Sequence, residues 1–108
     1  MSHVERDCVL VDTNGVHTIV RASHESVHSV LGGPITIVGA DDDMGLVMVA
    51  LRESEGFPLS VLSSMKCETI DNTARGDIVV VKVDKFTNEP VDVSIQDWLS
   101  WSREKSKE

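Results

Sequence analysis

The chain has 108 residues, 41% of them hydrophobic, and a formal charge of −8 from 18 acidic against 10 basic side chains. That is material for one core of two packed layers and too little for a second domain, so residues 1–108 are expected to form a single unit. The acid excess opposes direct contact with phosphate backbones, and the longest apolar run, Leu46 to Leu51, is far short of the roughly 20 residues of a membrane-spanning helix.

The segments 7–12 (DCVLVD) and 16–21 (VHTIVR) are rich in β-branched residues and flank Thr13-Asn14-Gly15. An Asn-Gly pair in that position suits a tight turn with positive φ, which predicts a β-hairpin. Ser23 follows as a helix cap, Glu25 falls in the first turn, and Gly32-Gly33-Pro34 stops the chain, so residues 24–31 are expected to be a short helix. Val27, Val30 and Leu31 share one side of it, an apolar stripe that would lie as a lid on the hairpin. Residues 35–39 and 46–52 read as two further strands joined by the polar connector 40–45, a second hairpin.

From 53 to 76 no period persists, and only a short strand or turn of helix is expected between two loops. Residues 77–83 (DIVVVKV) return to strand, and their continuous apolar centre predicts coverage on both faces, near the middle of the sheet. Ser94 and Asp97 stand in capping-box spacing, opening a terminal helix whose inward side is Ile95, Trp98 and Leu99. The ends, residues 1–5 and 103–108, are expected to be disordered. The sum is an α+β fold, a mainly antiparallel sheet of about five strands with two short helices packed on it.

Two strings invite chemistry. His24-Glu25-Ser26-Val27-His28 is an HExxH, which on a helix puts His24 and His28 on one face as zinc ligands, with Glu25 as general base. This zincin-like string defines an alternative reading, a small zinc-dependent hydrolase whose third ligand comes from Glu53, Glu55 or Glu68. Against it, the first ligand falls in a fraying first turn, and Leu31 and Pro34 occupy the glycine and third-histidine positions of the extended motif. Solvated histidines beside an apolar stripe are the competing account.

Asp41, Asp42 and Asp43 offer carboxylates to hard cations but miss the calcium-loop spacing, so they read as a solvated acidic turn or an acidic surface for a partner. Arg75-Gly76-Asp77 matches an adhesion string but runs directly into a strand. Trp101 lies a quarter turn or more off the inward helix face; an exposed part would make it a partner anchor, and packing on the sheet edge is the alternative. Cys8 and Cys67 are too few and too far apart for a disulfide scaffold. With no export signal at the start, a cytoplasmic location is expected.

Leu31-Gly32-Gly33 before a strand, the 53–58 loop (ESEGFP), then Gly76-Asp77-Ile78-Val79-Val80-Val81 and a capped terminal helix together resemble an uncharacterised family common in phages and large viruses. The similarity covers residues 16–101. It implies a small accessory protein, with no activity to transfer. The expected function is therefore that of a small acidic accessory or regulatory protein that binds another protein, or its own copy through an open sheet edge, without cofactor and without enzymatic activity.

Overall fold

The computed structural model describes residues 5–23 and 25–106. The predicted first hairpin forms as β1 (Arg6–Val11) and β2 (His17–Ala22), paired in unbroken register from Arg6 opposite Ala22 to Val11 opposite His17. Its turn is closed by one carboxylate: Asp12 Oδ1 accepts the N–H groups of Asn14 and Val16, each at 2.9 Å. Of the Asn-Gly pair only Gly15 takes positive φ, at +87°, so the glycine alone supplies the left-handed step that closes the loop.

After the hairpin come α1 (Val27–Leu31), β3 (Ile35–Asp41), β4 (Leu46–Leu51), a 3₁₀ turn (Val61–Ser64), β5 (Ile78–Val83), β6 (Pro90–Val91) and α2 (Ile95–Lys105). Among the described residues the strands make one six-stranded antiparallel sheet of order β2-β1-β5-β4-β3, with β6 beside β5. The fold is thus α+β, as expected. The sixth strand was not foreseen: it is two residues long and opens on Pro90, a residue that reads as a loop and is tolerated only at strand starts and edges.

β5 is the centre. Ile78, Val79 and Val80 are fully buried, and they alternate between two cores on opposite faces of the sheet. On one face Ile78 and Val80 join Val9, Val11, Leu46 and Met48 under Leu62, Trp98 and Trp101. On the other, Val79 joins Cys8, Ala22 and Val49 beneath Val27 of α1. This continuous burial is why the 77–83 run is apolar without alternation.

The expected helix over 24–31 starts only at Val27. Ser26 Oγ accepts the Ser23 N–H at 2.9 Å and Ser23 Oγ accepts the Ser26 N–H at 3.2 Å, and the Ser23 carbonyl accepts the Ser26 and Val27 N–H groups at 3.1 and 3.0 Å, so the two serines close, in the manner of a capping box, a turn that leads into the helix. The helix proper begins after Ser26, which has helical φ and ψ and makes no side-chain capping bond of its own, while Ser23 caps the turn before it. The stop at Gly32 holds, its N–H donating to the His28 carbonyl at 2.9 Å. The helix packs against β5, β4 and β2 and is a cover for the sheet centre, not a lid on the first hairpin alone.

The capping box of α2 forms as expected: Ser94 Oγ accepts the Asp97 N–H at 3.0 Å and Asp97 Oδ2 accepts the Ser94 N–H at 3.1 Å. The helix is turned from its expected orientation, with Trp98 and Trp101 buried and Ile95 and Leu99 half-buried. It also runs through Lys105, whose carbonyl accepts the Lys66 N–H at 3.0 Å, so residues 103–105 are ordered helix and not a frayed end. The expectation of disorder at 1–4, 107 and 108 lies outside the described residues.

Candidate functional site

Of the HExxH string, the regular helix includes Val27 and His28. Glu25 sits in the turn before α1, His28 is the second residue of the helix, and His24 lies outside the described residues. Among the described residues no group of three or more His, Cys, Asp or Glu side chains is placed to hold a metal ion.

The acidic connector divides. Asp42 and Asp43 face solvent, whereas Asp41 is a structural hub: Oδ1 accepts the N–H groups of Asp43 and Met44 at 2.9 and 3.2 Å, and Oδ2 accepts the indole N–H of Trp101 at 2.6 Å. Burial alone would raise the Asp41 carboxyl, but the Trp101 indole, the backbone of Met44 and Asp43, and nearby Lys105 outweigh it and hold it below the ordinary carboxylate range. Trp101, at 1% exposure, is thus committed to the core and presents no ring to a partner. Of the two readings of Trp101 the packed one stands, and the exposed one rested on the spacing of α2 alone. The residue that draws the indole inward is 60 positions away.

The surface that is built and open lies at the other end of the sheet. Between Phe57 and Gly76 two loop segments run antiparallel as a short ribbon: the Gly76 N–H donates to the Pro58 carbonyl at 2.8 Å and the Ser60 N–H to the Ala74 carbonyl at 2.9 Å, with Leu59 bridged to Arg75. The Arg75 guanidinium donates to the Phe57 carbonyl at 2.9 Å, which accounts for the Arg-Gly-Asp string as part of this ribbon. Beneath it, Ser60 Oγ caps the 3₁₀ turn that buries Leu62, and Asn72 Nδ2 donates to the Leu62 and Met65 carbonyls, both at 2.7 Å.

The ribbon holds Phe57 and Leu59 at 44% and 45% exposure when apolar side chains on a pliable loop would collapse onto the core. Phe57 walls a cleft of about 230 Å³ whose apolar lining is Val30, Leu31, Leu51 and Pro58, with Arg75 and Asp77 as charged groups. Sequence reasoning passed over this place because residues 53–76 lack a period; the available signal was a Phe-Pro pair inside an otherwise polar loop.

Cys8 and Cys67 are both free thiols. Burial pushes the Cys8 thiol above its ordinary value, against the opposing hydrogen bond with the Ala22 backbone. No helix among the described residues is long and apolar enough to cross a membrane. Comparison of the chain with protein families, curated proteins and solved structures gives no match.

Proposed function

We propose that this chain is a small accessory or regulatory protein that acts by binding another protein, and that the Phe57–Leu59 ribbon with its cleft is the binding surface. The observation that carries the reading is the presentation of two large apolar side chains on a hydrogen-bonded ribbon beside an open cleft of mixed apolar and charged lining. Exposed apolar groups held in place lose little conformational entropy on binding, and aromatic and arginine side chains are the usual anchors of interfaces. The fitting partner inserts an apolar side chain between Phe57 and Leu51 and sets an acidic group against Arg75. Two unpaired thiols suit a reducing compartment such as the cytoplasm, and the charge of −8 argues against a nucleic-acid partner.

The test is affinity capture by the tagged chain, followed by titration with the captured protein. Saturable binding that Phe57→Ala weakens at least tenfold, and that Phe86→Ala at the remote β5–β6 turn leaves unchanged, is the expected result. No saturable partner, or binding indifferent to Phe57→Ala, would overturn the proposal.

A further inference from the structure

The two outer edges of the sheet, β2 and β3, are finished differently. β3 carries a register shift between Ile37 and Gly39. Its outer side is covered from Val38 onward, where the Asp71 N–H donates to the Val38 carbonyl at 2.7 Å and the Ala40 N–H to the Thr69 carbonyl at 3.1 Å. Bulges and covering loops are the devices by which native sheets protect an edge. Among the described residues β2 has neither along its outer side, although α1 and α2 pack against the strand: its register is unbroken, and it holds no proline or lysine. Its one cation, Arg21, folds back over β1 onto the Asp7 carboxylate at 2.8 Å and the Glu5 carbonyl at 3.2 Å.

The direction of the unpaired groups on β2 follows from β1. Asp7 turns its N–H to the Asp92 carboxylate and its carbonyl to the Val93 N–H, on the side away from β2. By strand alternation Cys8 and Leu10 face β2, and their opposite residues Val20 and Thr18 face back. His17, Ile19 and Arg21 are left with N–H and C=O aimed outward, in a triad centred on Ile19.

We propose that β2 is a homodimerisation edge, to which a second copy of this chain adds its own β2 antiparallel about a two-fold axis at Ile19. In that register Ile19 meets Ile19 of the second copy, His17 meets Arg21, and every outward donor finds an outward acceptor, the self-complementarity a two-fold interface requires. Charge permits the copy. Residues 13–24 contain none of the 18 acidic side chains, so along this edge two chains of like charge meet without acid against acid. Ile19 and Val16, 39% and 59% exposed, lose water on pairing. Edge pairing of one strand buries less than the ~1,600 Å² of a standard interface, so the dimer dissociates on dilution.

Sedimentation equilibrium of the full chain from micromolar to millimolar concentration tests this. The weight-average mass is expected to rise from 11.8 kDa towards twice that value. Ile19→Pro removes an outward N–H without touching the β1 ladder, and Ile19→Lys keeps the backbone but sets two cations on the axis; both are expected to stay monomeric with unchanged far-ultraviolet circular dichroism. If Ile19→Pro unfolds, Ile19→Lys decides. A wild-type chain monomeric throughout, or variants that dimerise as wild type does, would overturn the proposal. A chain that captures a partner through Phe57 but stays monomeric refutes only the β2 pairing, and one that dimerises but captures nothing refutes only the Phe57 surface.

Discussion

Replacing Asp41 by alanine should be among the more damaging single changes to a polar side chain in this molecule, although it sits in a run of three aspartates that looks interchangeable in sequence. The change strips the buried indole N–H of Trp101 of its acceptor, at a cost of about 1–3 kcal/mol for a buried unsatisfied donor. It also removes the acceptor for the Asp43 and Met44 N–H groups, about 0.5–1.5 kcal/mol more for partly solvated bonds. The expected loss is roughly 2–4 kcal/mol, which for a domain near 100 residues lowers Tm by about 10–25 °C. Asp42→Ala, at an exposed position, should stay within about 0.5 kcal/mol of wild type. Chemical and thermal unfolding of both variants and of Asp41→Ala combined with Trp101→Phe provide the measurement, and the pair should be non-additive by about 1 kcal/mol or more. If Asp41→Ala and Asp42→Ala prove equally mild, the hub assigned to Asp41 is wrong.

Gly45 has φ +72°, and a Cβ there would collide with the Val83 carbonyl, so Gly45→Ala should destabilise by more than the ~1 kcal/mol typical of glycine replacements, read as a fall in denaturation midpoint. Leu62→Ala, at a fully buried position of the 3₁₀ turn, should cost about 2–5 kcal/mol and loosen the Phe57–Leu59 ribbon above it, seen as faster amide exchange at Ser60 and Gly76. Asp41 and Asp71 both titrate below their ordinary value of 3.8. Their stabilisation is therefore complete above that value and is lost as pH falls through the lowered native values, because the unfolded chain takes up protons first. Acid titration of Tm should be steep below about pH 4, and less so in Asp41→Ala. Alkylation should label Cys67 in the native chain and Cys8 only on unfolding, since Cys8 is 3% exposed and its thiol is raised by burial.

Much of the sheet was legible because its signals are local. The Asn14-Gly15 turn between 7–12 and 16–21, the polar connector 40–45 between 35–39 and 46–52, and the continuous apolar run of 77–83 place five strands from local signals alone. What failed depended on partners distant in sequence or on side chains competing with backbone. The reciprocal Ser23–Ser26 bonds set a turn ahead of α1, so the regular helix starts at Val27 and not at residue 24. The face of α2 was read from Ile95, Trp98 and Leu99, while the contact that orients it comes from Asp41 at the end of β3. The ordering of 53–76 rests on Asn72 spanning the Leu62 and Met65 carbonyls, a role no period announces. Neither the cleft nor the open β2 edge is a motif; both follow from what the fold leaves uncovered.

Amide hydrogen exchange on the chain, alone and saturated with its captured protein, tests the central claim most directly. Protection concentrated at residues 56–60 and 74–77, with the C-terminal end of α1 alongside, is the predicted result. Protection confined to the Asp42–Asp43 turn or to α2, with the Phe57 ribbon exchanging as in the isolated chain, would contradict it.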